Sequence, residues 1–243
     1  MRKKDIENQE HRYLNRSLWA NLQSLKSTVS FMQTGAHPDD ETSRLLAKLS
    51  LDEGYYVSYV NAVRGQGGQN SIGPERDDNL GALRTYELLK AMSVLRVDIG
   101  WLANSRNNSI VDFGLSKSAE ETFEFWDKKY TIQRMIRIVR AYKPDIIIPT
   151  FLDVEGQHGH HRAVTKATIE AFDNSNDPEI FPDDDFGPWK ISQIFLPAWS
   201  GGGGSYDDEE DPPEATHLIQ VGNFNHIFGG TFNQIGELSL IHI

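Results

Sequence analysis

The 243-residue sequence contains no cysteine. This absence excludes disulfides and thiolate metal ligands, so any zinc site in the chain has to use histidine and carboxylate side chains. Those are the usual ligands of hydrolytic zinc rather than of structural zinc. The sequence also has no apolar run long enough to span a bilayer. Residues 1–10 are partly basic but are followed by no apolar stretch, so the chain as it stands predicts a cytoplasmic protein, or a secreted one if a signal peptide was removed.

Positively charged residues are fewer than negatively charged ones. Lys and Arg together number 24 against 35 Asp and Glu, which gives a formal net charge of −11. Such a surface repels phosphate backbones and anionic lipids, so nucleic acid and membranes are poor candidate partners. The apolar and charged fractions, 38% and 24%, are those of an ordinary globular protein, and the length favours one large domain over residues 1–243. The oligomeric state is not predicted.

Strand-like and helix-like segments alternate along the chain. Helical apolar stripes occur at 12–27, 45–49, 77–95, 132–139 and 164–171. Strand-like segments occur at 28–34, 55–63, 99–102 and 145–150, with two weaker late candidates at 191–196 and 218–221. Residues 104–118 and much of the chain after 174, including the runs 183–185, 201–204 and 207–211, have loop composition. This order predicts an α/β fold, Rossmann-like, with a mostly parallel sheet flanked by helices.

A compact acidic motif follows the first predicted strand. Residues 37–41 read His-Pro-Asp-Asp-Glu, and the spacing of three allows His37 and Asp40 to face one point. Asp39 lies between them, where a base acting on metal-activated water is expected. An alternative is an acidic helix cap, with Asp39 or Asp40 as the N-cap and Glu41 in the first turn. That alternative explains the acids but not the histidine.

A second motif follows the predicted strand at 145–150. Residues 157–162 read Gln-His-Gly-His-His-Arg, so three of the eight histidines lie within four residues. The carboxyl ends of parallel strands meet at one edge of a sheet, where ligands usually bind. One histidine from this loop would therefore complete a three-ligand site with an open position for water. The alternatives, a solvated polar loop or a first-turn histidine that caps the following helix, are common for a single histidine but less so for such a cluster.

Taken together, these motifs resemble the LmbE-like (PIG-L) N-acetylglucosaminyl deacetylase family. The resemblance rests on Ala-His-Pro-Asp-Asp-Glu at 36–41 and on the segment from His158 to Val164. Three further elements occur in the family's order, at 64–68, 83–88 and 112–114. The resemblance covers residues 28–172 and implies a single deacetylase-type catalytic domain whose segment 173–243 is weakly matched. Residues 237–243 carry no stop signal, so the sequence leaves open whether the chain is cut short there.

The resemblance implies roles for the residues of both motifs. His37, Asp40 and His161 would be the zinc ligands, and Asp39 would be the general base. His158 would be the positively charged partner of the tetrahedral intermediate. Iron or cobalt could replace zinc, because His/Asp sites accept several divalent ions. The substrate would be a small molecule or glycan that carries an N-acetyl group, resembling N-acetylglucosamine.

Substrate contacts follow from the intervening elements. Arg84 and Asp112 align with family positions that hold sugar hydroxyls, and Arg64 is interpreted as a pocket residue or, equally, as a surface arginine. The family usually has Pro-Asp where this chain has Gly159-His160. His160 could therefore compete with His161 as third ligand or face solvent; the retained spacing favours His161.

Three other functions compete with deacetylation. The same site could cleave an ester or a different amide, or the domain could bind sugars without catalysis; the presence of Asp39 argues against the second. A doubly wound nucleotide-binding protein is the third, but no phosphate-binding loop follows the first strand. The glycine-rich segment at 65–68 has the wrong spacing for a dinucleotide fingerprint.

Overall fold

The computed structural model describes residues 17–104, 108–182, 185–197 and 214–240. Several predictions fall outside these described residues: the helical stripe at 12–16, the loop residues 105–107 and 183–184, the runs 201–204 and 207–211, and the end at 241–243.

Five parallel strands form the central sheet in the order β3-β2-β1-β4-β5. These strands are β1 Ser30–Gly35, β2 Tyr56–Asn61, β3 Asp98–Trp101, β4 Ile146–Pro149 and β5 Gln193–Ile194. A separate antiparallel pair consists of β6 Phe224–Asn225 and β7 Gly230–Thr231. The predicted parallel sheet is thus confirmed. The burial of β1 follows from its central place, because helices cover both faces of the sheet there.

Helices cover both faces of this sheet. They are α1 Ser17–Gln23, α2 Ser43–Leu51, α3 Asp77–Leu95, α4 Ala119–Trp126, α5 Lys128–Tyr142, α6 Gly159–Asn174 and α7 Phe232–Ser239. One apolar core joins α4, α5 and α6 to the sheet around Met32 and Ile147, and a second joins α2, α3 and α7 around Phe31. The described part of the chain contains no helix with the length and apolar composition needed to cross a membrane.

The strand order places the two sequence motifs side by side. The chain leaves β1 towards β2 on one side, whereas β4 pairs with β1 on the other. Neighbouring connections that diverge in this way leave a crevice at the carboxyl ends of the two strands. Residues 36–42 follow β1 and residues 150–158 follow β4, so both motifs lie at this crevice.

Four details differ from the sequence predictions. The predicted late strand at 218–221 is wrong, because those residues have no regular structure and the nearby strand is β6. Helices α4 and α7 were not predicted. The stripe of α1 faces outward: the exposed fractions of Leu18 and Leu22 are 70% and 49%. The late strand at 191–196 is confirmed only as the two-residue β5.

Candidate metal centre and active site

The turn after β1 is folded around the carboxylate of Asp40. Its Oδ2 accepts hydrogen bonds from the backbone N–H groups of Ala36 and His37, both at 2.8 Å, and its own N–H donates to the carbonyl of His37 at 3.2 Å. Helix α2 begins only at Ser43, and its N-cap Thr42 makes no side-chain capping bond. The alternative reading of this motif as an acidic helix cap is therefore wrong, and Asp40 instead closes a turn that aims its side chain into the crevice.

Two histidine nitrogens and the two oxygens of the Asp40 carboxylate converge at this point. The Nδ1 of His37 lies 3.1 Å from the Nε2 of His161, and that Nε2 lies 3.3 Å from the Oδ1 of Asp40. The distance from His37 Nδ1 to Asp40 Oδ2 is 3.6 Å. A tetrahedral zinc ion with ligands at about 2.0–2.2 Å separates its ligand atoms by roughly 3.3–3.6 Å. The predicted ligand residues are thus brought together at a spacing that fits one metal ion.

The charges in this cluster support that fit. Burial disfavours the charged form of Asp40, but the charge of His161 and hydrogen bonds from His161 and His37 outweigh it and hold the pKa of Asp40 well below its usual value. Asp40 is therefore a carboxylate, the form in which it can bind a metal. Burial lowers the pKa of His37, but the hydrogen bond and charge of Asp40 outweigh burial and leave that pKa raised.

His160 lies on the opposite side of the His37 ring. Its Nδ1 is 3.1 Å from the Nε2 of His37, its side chain is fully buried, and its ring stacks on Trp126 with centroids 4.9 Å apart. The expectation that His160 faces solvent is therefore wrong. Burial, reinforced by the charges of the neighbouring histidines, lowers the pKa of His160 to about 2, so the ring is neutral. With Asp112 and His37 it forms a second His/Asp group whose ligand atoms lie within 4.8 Å of one another.

Gln157 is a site residue to which the sequence analysis gave no role. Its Oε1 lies 2.7 Å from the Nδ1 of His161 and also accepts the backbone N–H of His158 at 3.0 Å. A carbonyl oxygen can only accept, so His161 carries its proton on Nδ1 and presents the lone pair of Nε2 to the cluster. The four-residue spacing from Gln157 to His161 at the start of a helix was the available signal.

Asp39 lies at the rim of the cluster and is paired with Arg84. Nη2 of Arg84 lies 2.8 Å from the Oδ2 of Asp39 and also donates to the carbonyl of Pro38, while Nη1 of Arg84 donates to the carbonyl of Gly65. Burial raises the pKa of Asp39, and the charge of Arg84 works against that rise. Asp39 has a φ of 109°, a region that non-glycine residues seldom adopt and that is typical of functional turns. Gly65 has a φ of +73°, and a Cβ there would lie 2.2 Å from Arg84 Nη1.

His158 is held by the loop between β3 and α4. Its Nε2 lies 3.0 Å from the carbonyl oxygen of Gly114 and 3.3 Å from the backbone nitrogen of Ser116. Burial, reinforced by the charges of His37 and His161, lowers the pKa of His158 to about 4. The lowered pKa favours a neutral imidazole at this position near neutral pH. The role of His158 as the positively charged partner of the tetrahedral intermediate stays a prediction.

The three predicted substrate contacts occupy different surroundings. Asp112 is buried, and its Oδ1 accepts the backbone N–H of Gly114 at 2.9 Å. Arg84 is tied to Asp39, as described above. Arg64 is exposed at the start of the glycine-rich loop. Their roles in sugar binding stay predictions.

The fold is that of an α/β protein with a parallel sheet, and its His/Asp cluster lies where the connections of β1 and β4 diverge. Sequence comparison identifies the family. Residues 32–172 match the family described as PIG-L: GlcNAc-PI de-N-acetylase. Because this match covers more than half of the chain, the protein belongs to that family, which confirms the resemblance inferred from the motifs.

Two relatives illustrate this family. The 1D-myo-inositol 2-acetamido-2-deoxy-alpha-D-glucopyranoside deacetylase 1 of Frankia alni is 30% identical over 183 residues, which are 68% of this chain and 61% of the relative. The mycothiol S-conjugate amidase of Streptomyces coelicolor is 28% identical over 175 residues, covering 65% and 57% respectively. The chain thus spans about three fifths of the length of these relatives.

Solved structures confirm the fold. The N,N'-diacetylchitobiose deacetylase of Pyrococcus horikoshii has a TM-score of 0.53 and 22% identity, covering 81% of this chain and 69% of that one. The 4-carboxy-2-hydroxymuconate hydratase of Pseudomonas putida has a TM-score of 0.52 and 14% identity, covering 69% and 64%. Proteins with different reactions thus share this fold, and the function has to be argued from the site.

Proposed function

We propose that this protein is a zinc-dependent hydrolase that removes the acetyl group from an N-acetylated sugar of the N-acetylglucosamine type. The observation that carries the proposal is the convergence of His37 Nδ1, His161 Nε2 and the Asp40 carboxylate at 3.1–3.6 Å, with Asp39 at the rim. The names of the relatives, a deacetylase of an acetamido sugar and an amidase, support the same reaction class.

Two histidines and one carboxylate form the donor set expected of catalytic zinc, since three protein ligands leave a position for water or substrate. Bound zinc would lower the pKa of a water molecule towards about 7 and polarise the amide carbonyl. His37, Asp40 and His161 would hold the ion. Gln157 would hold His161 in the required tautomer through its 2.7 Å contact.

Asp39 would act as general base. As water adds to the acetyl carbonyl, a C–O bond forms and one water proton passes to the Asp39 carboxylate. When the C–N bond breaks, that proton passes to the departing amine, so the products are acetate and the free amino sugar. Arg84 keeps Asp39 at the rim through its 2.8 Å contact. His158, beside His37 with ring centroids 5.3 Å apart, would contribute a hydrogen bond to the oxyanion.

Replacement of the base tests this proposal. The Asp39→Asn protein should keep its zinc and lose deacetylation by about 10²–10⁴-fold, the usual contribution of a general base. Asp185→Asn is the matched control, because Asp185 is an exposed partner of Arg137 at a distance from the crevice. Amine release from N-acetylated sugars is the measurement. Undiminished turnover by Asp39→Asn would remove Asp39 from the mechanism.

A second candidate is cleavage of a different amide or an ester at the same site, and the amidase among the relatives favours it. A panel of N-acetylated sugars, O-acetylated sugars and larger amides separates the two. Preferential hydrolysis of N-acetylglucosamine derivatives supports the deacetylase. Hydrolysis of O-acetyl esters or of larger amides alone would favour the alternative.

A further inference from the structure

Each of the two histidines proposed as ligands contacts a second side chain with its other ring nitrogen. His161 contacts Gln157 Oε1 through Nδ1 at 2.7 Å, and His37 contacts His160 Nδ1 through Nε2 at 3.1 Å. A histidine that binds a metal through one nitrogen carries its proton on the other, and that N–H needs an acceptor. The usual acceptors are carboxylates, carbonyls or water, so an imidazole in this place is unusual.

The orientation of His37 determines the direction of this hydrogen bond. Its Nδ1 faces the carboxylate of Asp40 and the Nε2 of His161, so Nδ1 is the nitrogen available to a metal. The proton then has to be on Nε2, and His160 Nδ1 has to accept it. The Oδ1 of Asp112 lies 3.9 Å from His160 Nδ1, beyond hydrogen-bond distance, so it does not compete.

The surroundings of His160 hold its ring in place. The side chain is fully buried, stacks on Trp126 and meets Phe113 edge-on with centroids 4.5 Å apart. No hydrogen-bond partner for its Nε2 occurs in the part of the chain that the structure describes. The only hydrogen bond of the His160 side chain within that part is therefore the one to His37.

We infer that His160 is a positioning residue for the metal centre: by accepting the Nε2–H of His37, it fixes His37 in the tautomer that presents Nδ1 to the ion. This inference rests on the proposed metal site. It also accounts for the presence of a buried histidine packed against Trp126 and Phe113. A neutral acceptor orients the ligand without adding charge, whereas a carboxylate would bring a second negative charge close to Asp112.

Two substitutions separate hydrogen bonding from packing. His160→Asn keeps an acceptor oxygen near the position of Nδ1 but loses the ring, whereas His160→Phe keeps the ring and loses the acceptor. We expect zinc affinity, measured by chelator competition, to fall about 10–100-fold in His160→Phe, the range for loss of an outer partner of a metal ligand. His160→Asn should stay much closer to the unchanged protein.

A second readout is the protonation of His37 in the zinc-loaded protein. Imidazole ¹⁵N resonances should show a proton on Nε2 of His37 in the unchanged protein and in His160→Asn, and a mixed or exchanging state in His160→Phe. Packing alone would not produce this difference. Melting of the metal-free proteins checks that each variant folds; if His160→Phe does not, His160→Leu replaces it as a smaller side chain without an acceptor.

The outcomes separate this inference from the proposed function. Zinc affinity and His37 resonances that are the same in His160→Phe and the unchanged protein would overturn the positioning role and leave the metal site intact. Equal losses in the Asn and Phe variants would also overturn it, because the effect would then follow the shape of the side chain. An unchanged protein that binds no zinc would contradict the proposed function as well.

Discussion

The two nitrogens of His37 face two different regions of the molecule. On the Nδ1 side, Asp40 and His161 form a polar cluster at the carboxyl ends of β1 and β4. On the Nε2 side, His160 is enclosed by Trp126 and Phe113. The first region has the chemistry of a binding site and the second has the packing of a core. This difference indicates that the Nδ1 side binds the metal ion and that the Nε2 side fixes the orientation of the His37 ring.

Among these predictions, loss of the Asp40 carboxylate should have the largest effect, because Asp40 lies on the metal-binding side of His37. Asp40→Ala removes a proposed ligand and the acceptor of two backbone N–H groups. Zinc affinity should fall by more than the about 10–100-fold expected for an outer partner such as His160. Chelator competition measures this, with Asp185→Ala as the exposed control. A smaller loss of zinc affinity in Asp40→Ala than in His160→Phe would contradict the assignment of the Nδ1 side as the metal-binding side.

Removal of a metal ion bound on the Nδ1 side of His37 should lower the stability of the folded protein. An ion that binds the folded state alone stabilises it by about 2.7 kcal/mol when present at 100 times its Kd. Thermal unfolding of the unchanged protein should therefore shift upward with zinc and return after chelation. Asp40→Ala should show no zinc-dependent shift. A shift of equal size in both proteins would mean that zinc binds elsewhere.

The close contact beneath the histidine loop offers a smaller test. A Cβ at Gly159 would lie 2.1 Å from Ser116 Oγ and 2.5 Å from the carbonyl of Ser118. Gly159→Ala should cost about 1–3 kcal/mol of unfolding free energy through overpacking, measured by urea denaturation. Gly222→Ala is the control, because nothing lies within 4 Å of that Cβ position. Equal stability of the two variants would show that the loop adjusts freely.

Arg84 should have the smallest effect on stability, because it contacts Asp39 and neither side of the His37 ring. Asp39 is half exposed, so Arg84→Lys should change the unfolding free energy by less than about 1 kcal/mol. Turnover should fall with zinc affinity unchanged, because an ammonium group cannot reproduce the fork that holds Asp39 and two carbonyls. A loss of zinc affinity in Arg84→Lys would place Arg84 among the groups that support the metal.

Most features of the Nδ1 side of His37 could be predicted from the sequence. The buried strand β1, the apolar strand β4 and the motifs that follow them were predicted, because buried parallel strands and dense polar turns have strong local patterns. The spacing of the second motif favoured His161 over His160, but local pattern alone does not determine the choice, since it depends on how α6 is rotated against its neighbours. The structure turns His161 towards Asp40 and His160 away from it.

Much of the Nε2 side was missed because it depends on packing between distant segments. Helix α4, which supplies Trp126, is only eight residues long and follows a polar loop. The available signal was Ser118 with Glu121 three residues later, a helix-start pattern; the Ser118 side chain indeed accepts the backbone N–H of Glu121 at 3.1 Å. The burial of His160 against Trp126 is a tertiary fact that no local pattern encodes.

The central claim is that His37, Asp40 and His161 hold one metal ion. The most direct test is the number of zinc ions bound per chain after chelation and reloading, measured on the unchanged protein, on His37→Ala and on His226→Ala, whose histidine is exposed outside the crevice. About one zinc ion per chain is expected in the unchanged protein and in His226→Ala, and none in His37→Ala, as three protein ligands per catalytic zinc require. Full zinc occupancy in His37→Ala, or none in the unchanged protein, would contradict this claim.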